Sequence, residues 1–293
     1  MVAPTGSGDT NKKLVGELSR IVLGRIASNR LVLPVMPEVA QRCLVTLRDP
    51  KFSQKKFTTD IEREPLLAAS ILRQSMSAAN ASGNVKTLDQ AVSALGVQKL
   101  ESLLVEFMTR ELFRSNDQRI QAATKKVWEH SVAVAVLARD IAALTSGANS
   151  DTCYLAGLLH DVGKPVLVVM LLEAEKKLSK DKPGWLDISI WTSTVEASHR
   201  KVGTALALEW KLPEEVTAGI RDCSEYDTNN RGGAANVVRF ANALAKREGF
   251  TTGPVDAADI DALIMIGRSM VGADDSVIER LVAGLAERVA EAS

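Results

Sequence analysis

Apolar residues recur at intervals of three and four along almost the whole of this chain, and no stretch alternates apolar with polar residues as a half-buried strand does. That spacing turns one face of a helix towards a core at each turn and leaves little for a sheet to use. In "LVGELSRIVLGRI" the apolar positions are Leu14, Leu18, Ile21, Val22 and Ile26. "VQKLESLLVEFMTREL" and "IQAATKKVWEHSVAVAVLARDIAAL" read the same way. Aromatics make up only 4% of the chain while Ala, Leu and Val dominate, a balance that favours helices. The pattern predicts an all-α protein, and 46% hydrophobic residues are enough for a sizeable core.

Punctuation divides the pattern. Pro37 and Glu38 suit a first helical turn, and Asp49-Pro50 stops that helix because a residue before proline avoids the helical region. Short helices are expected over about 53–63 and 65–77, then a turn at Gly83-Asn84. Thr87 and Gln90 form a capping box, and Gly96 breaks the helix that they open. Polarity rises at Ser115-Asn116-Asp117, where a subdomain boundary is expected. "SDTCYLAGLLHDVGK" reads as a helix capped at Ser150 or Asp151, with Gly157 for close helix approach and Gly163 turning the chain before Pro165. A loop over 181–184, one or two helices over 191–212 and a helix start at Pro213-Glu214-Glu215 follow. "TNNRGG", Thr228 to Gly233, is the most loop-like stretch. Final helices start near Ala257 and Val277, the latter capped by Ser276 and Glu279. The expected organisation is a tail and helix over 1–28, helical subdomains over 29–115 and 116–250, and C-terminal helices over 251–293. Ile278, Leu281, Val282, Leu285 and Val289 form a stripe that needs burial, within the chain or in an oligomer contact.

Lys plus Arg equals Asp plus Glu at 36 each, so no net field draws the chain to nucleic acid. The pairs Lys12-Lys13, Lys55-Lys56, Lys125-Lys126 and Lys176-Lys177 read as solvated helix faces. Cys43, Cys153 and Cys223 are scattered and odd in number, as in a reducing compartment. The longest apolar run, Val166 to Leu172, is too short for a bilayer, and the first residues lack a signal-peptide core. A cytoplasmic protein without membrane contact is expected.

The chain holds three histidines, His130, His160 and His199, on three separate predicted helices. His160 is followed by Asp161 inside the apolar stretch "LLHDVGK". Imidazoles with a carboxylate suit a divalent transition metal, but adjacent helical residues point about 100° apart, so the pair alone cannot close a site. Each residue also has a plain structural role open to it. His130 can bond a backbone carbonyl, His160 and Asp161 can satisfy each other or His130, and His199 can serve packing beside Gly203. Lys164, three residues after Asp161, can neutralise it across one turn.

His130 followed by His160-Asp161 resembles the H…HD…D pattern of the HD superfamily of metal-dependent phosphohydrolases. The wider series is similar to the HDOD branch, helical modules of bacterial signalling proteins. "LPVMPEVAQRCLVTLRDP", "TTDIEREPLLAASILRQSMSA" and "TLDQAVSALGVQKLESLL" resemble its first half. "VWEHSVAVAVLARDIA", "CYLAGLLHDVGKPVL" and "EASHRKVGTALALEWKLPEEV" resemble its second. The resemblance runs from about Leu33 to Gly249 and implies an HD-like helical bundle. For His130, His160 and Asp161 it implies a divalent metal such as Mn, Fe, Mg or Zn. In catalytic relatives a lysine matching Lys164 can also meet phosphate.

The departures bear on activity. Where catalytic relatives complete the metal shell with an aspartate, "ANVVRFANALAKREG" offers Asn242, a neutral side chain. Relatives that degrade cyclic dinucleotides add a paired HH and a GYP motif; this chain has "IRDCSEYD" near the first and nothing like the second. Asp222 and Asp227 are carboxylates, but neither is at the expected position. Three readings follow. The first is a stand-alone signalling module of HDOD type that works by protein contact or by binding a ligand such as a nucleotide, without turnover. The second is a metal-dependent phosphohydrolase acting on a nucleotide or cyclic dinucleotide, with an unorthodox fourth ligand. The third is a helical scaffold with an apolar docking groove.

Overall fold

A computed structural model describes residues 16–17, 19–21, 24, 38–79, 85–113, 118–144, 147–178 and 188–292; the expected turn at Gly83-Asn84, the boundary at Ser115 to Asp117, the loop over 181–184 and Trp185 lie outside them. The described residues are helical and contain no strand. The chain folds as two units, Val35–Glu111 on one hand and Leu112–Ser293 with Met1–Pro34 on the other. The C-terminal helices therefore belong to the same unit as the histidines.

In the first unit, α1 (Glu38–Leu47), α2 (Gln54–Ile61), α3 (Pro65–Ala79) and α4 (Leu88–Leu112) enclose Cys43, Phe57, Ile61, Ile71, Leu100 and Leu104. Ser53 caps α2 by accepting from the Lys56 N–H. The Thr87–Gln90 box opens α4: the Gln90 N–H donates to Thr87 Oγ1 at 3.2 Å and the Thr87 N–H to Gln90 Oε1 at 3.3 Å. Gly96 then kinks α4 at φ 75°, ψ 166°, a conformation only glycine adopts without strain.

The second unit is built on α5 (Gln118–Leu144), whose residues 131–138 are buried on every side. A helix apolar all round must be central. Against it lie α6 (Ser150–Leu159), α10 (Ala234–Arg247) and the last two helices; α7 (Gly163–Leu178) packs on α8 (Ile188–Glu209), and α9 (Glu214–Arg221) joins α6 to α8. Gly157 lets α6 approach α5, since a Cβ there would lie 2.9 Å from Ala135 Cα. α11 (Ala257–Val271) covers α10.

The structure corrects four local expectations. α6 is capped one residue early, by Asn149 accepting from the Thr152 N–H, and the expected cap at Ser150 or Asp151 is inside the helix. The cap near residue 276 is Asp274, which accepts from the Val277 N–H, while Ser276 donates to it. The last helix is two, α12 (Asp275–Val282) and α13 (Leu285–Ala292), separated at Gly284 with φ 61°. Ile278, Leu281, Leu285 and Val289 are nonetheless buried in this unit. Gly163 does not act through a positive φ: it opens α7, and a Cβ there would sit 1.9 Å from the carbonyl oxygen of His199. Its role is backbone contact between α7 and α8.

Ser150–Leu172 is long and apolar enough to cross a membrane, but 78% of its apolar window is buried in the fold and turns at residues 160–162 interrupt it. Those turns hold His160 and Asp161 at the joint of α6 and α7.

Candidate functional site

Four elements bring the singled-out side chains together. His130 comes from the middle of α5, His160 and Asp161 from the α6–α7 joint, Lys164 from the first turn of α7 and His199 from α8. Their exposures lie between 1% and 7%. Pro165 suits its place in the first turn of α7, where a missing N–H leaves no helical bond unmade.

The tautomers follow from the backbone. His130 Nδ1 lies 2.8 Å from the Phe250 carbonyl and His160 Nδ1 2.7 Å from the Gly157 carbonyl. A carbonyl only accepts, so each Nδ1 carries the proton and each neutral ring presents a bare lone pair at Nε2. The two Nε2 atoms are 3.3 Å apart, and Asp161 Oδ2 is 3.7 Å from the first and 3.5 Å from the second. Three electron-pair donors thus converge with no proton between the two imidazoles. A point equidistant from all three lies about 2.0 Å from each, the length of a metal–imidazole or metal–carboxylate bond. His130, His160 and Asp161 therefore fit a divalent ion, and they are the metal-type cluster among the described residues. Backbone carbonyls on the far nitrogens are the support that metal-binding histidines use.

Two further side chains crowd the carboxylate. Lys164 Nζ is 2.9 Å from Asp161 Oδ2 and also 2.9 Å from Glu196 Oε1, and it donates to Thr252 Oγ1 at 3.4 Å. His199 donates from Nδ1 to the carbonyls of Val195 and Glu196, which turns Nε2 to within 3.3 Å of Asp161 Oδ1. Burial lowers the pKa of both His130 and His160, the latter to about 3. Burial opposes the charge on Asp161, but the surrounding imidazoles and the Lys164 ammonium hold it well below the usual carboxylate range. Burial likewise works against the charge on Lys164, and Asp161 with Glu196 outweighs it. At neutral pH the cluster is two neutral imidazoles with an ionised Asp161–Lys164 pair.

Asn242 lies on α10, half-buried, with Oδ1 buried and making no hydrogen bond. Asp222 is exposed and held by Arg221, and Asp227 is exposed on the loop that Asn236 ties down. Neither joins the cluster. Sequence reasoning missed Glu196, Lys246, Thr252 and the Phe250 carbonyl. Glu196 precedes His199 by three residues and Lys246 follows Asn242 by four, so one helical turn links each to a residue already singled out. The two backbone and loop contributions left no trace of that kind.

This fold and cluster define an HD-type helical module. The HDOD domain family matches residues 33–226, and the chain belongs to it. The match stops short of α10, so Asn242 lies beyond it. A solved structure from Shewanella amazonensis SB2B, provisionally named a metal-dependent phosphohydrolase, shares the fold with a TM-score of 0.78 and 20% identity, over 96% of this chain and 100% of that one. An HDOD domain protein of unknown function from Geobacter sulfurreducens has a TM-score of 0.61 at 22% identity, over 97% of each chain. A provisionally named signal transduction protein from Marinobacter aquaeolei VT8 has a TM-score of 0.65 at 22% identity, over 97% of this chain and 65% of that one. Among curated proteins, ribonuclease Y of Symbiobacterium thermophilum is 28% identical over 157 residues, 54% of this chain and 24% of that protein. An uncharacterised Treponema pallidum protein is 25% identical over 201 residues, 64% of this chain and 37% of its own length. The chain thus spans well under half of either curated relative.

Proposed function

We propose that this protein is an HDOD-type signal-transduction module that works by binding a protein partner or a ligand, without catalysis, in the cytoplasm. The observation that carries this reading is the closure of the cluster. A hydrolytic metal needs open positions for water and substrate. Here Lys164 and His199 stand at those approaches to Asp161, and no residue of the set is more than 7% exposed. Asn242 supplies no further charge for a hard cation. A partner in a signalling pathway fits the family and the provisional name of one structural relative.

The second reading, a metal-dependent phosphohydrolase, is favoured by the converging lone pairs of His130, His160 and Asp161. Imidazole ligands suit Zn or Fe better than Mg. A bound ion would lower the pKa of a coordinated water and polarise a phosphoryl oxygen. The deciding experiment measures hydrolysis of a model phosphodiester with added manganese, for wild type, His160→Ala and Asn242→Asp, with metal content measured in parallel. The expected outcome is no turnover by wild type and higher divalent-metal affinity in Asn242→Asp. Turnover by wild type that a folded His160→Ala variant loses would replace the regulatory reading with the catalytic one.

A further inference from the structure

The first unit, which carries no histidine, has an open hollow of about 520 Å³. Four cations line it: Arg42 of α1, Lys55 and Lys56 at the start of α2, and Arg63 just beyond the end of α2. The other lining side chains are the Asp60 carboxylate and the hydroxyls of Ser53 and Thr59, so none is apolar. Four cations against one carboxylate are a local excess in a chain whose charges balance at 36 each.

The hollow is short of an anion in two ways. Lys55 and Lys56 occupy the first turn of α2, where no acidic residue stands. That end of a helix is the positive pole of its dipole and favours anions, so the lysine pair opposes the field it sits in. Neither lysine forms an ion pair among the described residues. The one carboxylate is engaged elsewhere: Asp60, with a side chain 9% exposed, has Oδ1 3.5 Å from Arg42 Nε and 3.9 Å from Arg63 Nη1. It gathers guanidiniums from two elements at one place and leaves the lysines unmatched. Arg42 also pairs with Glu38 along α1 at 2.5 Å, whereas Arg63 is 61% exposed and has no second carboxylate among the described residues.

Spacing and lining select among anions. Lys56 and Arg63 are two helical turns apart, about 10 Å along the axis. A single small anion meets one end of that row, whereas a chain of linked phosphates meets both. Guanidiniums take phosphate oxygens in pairs, and ammonium groups meet them as point charges. No apolar wall is present for a hydrophobic anchor, and the volume suits a small molecule rather than the face of a partner protein. We propose that this hollow binds a condensed phosphate, free or as the tail of a nucleoside triphosphate, across Arg42, Lys55, Lys56 and Arg63. The inference rests on the ligand-binding reading above and names a ligand class and a place for it apart from the histidine cluster.

The test is calorimetric titration of the full chain with sodium tripolyphosphate at low ionic strength, with EDTA present so that no metal bridges protein and ligand. Wild type should bind one tripolyphosphate, and the double variant Lys55→Gln, Lys56→Gln should bind it roughly tenfold or more weakly. Arg63→Gln should weaken it separately, and all three side chains are exposed, so the fold should survive their loss. Lys125→Gln with Lys126→Gln, an exposed lysine pair on α5, controls for general attraction and should leave the affinity nearly unchanged. No binding by wild type, or equal effects of the two lysine pairs, would overturn the proposal. So would an oligoglutamate of equal charge that binds as tightly, since the hollow would then be a surface for acidic peptides. Adenosine triphosphate titrated in parallel separates the two sources: tighter binding than tripolyphosphate marks a nucleotide, and equal or weaker binding marks the free phosphate chain. The hydrolysis assay separates this from the broader reading. Manganese-dependent turnover would sink the non-catalytic function and leave the Lys55 and Lys56 effect standing, whereas an absent effect with no turnover would sink the phosphate site alone.

Discussion

The two units treat buried polarity in opposite ways. In Val35–Glu111 two buried hydroxyls bond close to home, Thr109 to the Val105 carbonyl at 2.6 Å and Ser75 to that of Leu72 at 2.7 Å, while Thr46 Oγ1 is buried without a hydrogen bond. Thr58 reaches across to the exposed carboxylate of Asp89 at 2.7 Å. Its buried ionisable side chain, Asp60, stands with Arg42 at 3.5 Å and Arg63 at 3.9 Å, both open to water. The second unit instead buries three imidazoles, a carboxylate and an ammonium, collected from four elements over seventy residues of sequence. Apolar side chains of similar volume would commonly fill such a space at equal or better stability. Folding alone explains the buried residue choices of the first unit and does not explain those of the second.

The sharpest way to test that contrast is to disturb the backbone contact that assembles the cluster. Gly163→Val places a side chain 1.9 Å from the His199 carbonyl, with backbone on both sides and no flexible atom to give way. The expected result is loss of the folded second unit, a cost above about 4 kcal/mol. Gly96→Val in the first unit is the matched control. Its φ of 75° is strained for valine but nothing lies within 4 Å, so about 1–3 kcal/mol is expected. Urea denaturation followed by helicity ranks the two. Equal costs would mean that α7 and α8 do not meet through Gly163.

A smaller effect should follow from breaking the charge pair without changing shape. Asp161→Asn leaves the Lys164 ammonium buried with only Glu196 to balance it and should cost about 3–5 kcal/mol. Thr109→Val in the first unit removes a locally satisfied hydroxyl and should cost about 1 kcal/mol or less. If both variants melt alike, the cluster is no more tightly bound into the fold than an ordinary buried hydroxyl.

Much of this was legible beforehand, and the failures share a cause. Helix existence came from periodicity, and the Thr87–Gln90 box and the Gly96 kink came from side chains that act on their own backbone. His130, His160, Asp161 and Lys164 were visible because a family pattern places them in order. Asn149 and Asp274 were missed as caps because neighbouring Ser150, Asp151 and Ser276 are equally good in isolation, and tertiary packing decides between them. Gly163 was read for its backbone freedom, whereas the α8 carbonyl it must accommodate is more than thirty residues away. Glu196 and Lys246 look like ordinary solvated charges on amphipathic helices. Only the packing of α7 on α8 brings Glu196 to the buried Lys164.

Acid should separate the units by the gentlest margin. Below its unfolded pKa near 6.5, an unfolded histidine takes up a proton that His160, held at about 3, refuses in the fold; His130 is shifted the same way. The unfolded state binds more protons, so stability falls as pH drops from about 6.5 towards 3, by up to about 1.4 kcal/mol per pH unit for each imidazole. Asp161 adds its own loss only below the ordinary carboxylate range, because its folded pKa lies under its unfolded one. Between about pH 6.5 and 5 the slope therefore belongs to the imidazoles. The first unit has no histidine and no tryptophan, while Trp128, Trp185, Trp191 and Trp210 all fall in the second. Tryptophan fluorescence should thus show a urea midpoint that falls from pH 6.5 to 5, while the part of the helicity transition owed to the first unit stays in place. A fluorescence midpoint that is flat over that interval would mean that the imidazoles are protonated as readily in the fold as out of it. The lone-pair triangle of His130, His160 and Asp161 would then be filled by protons rather than poised for a cation.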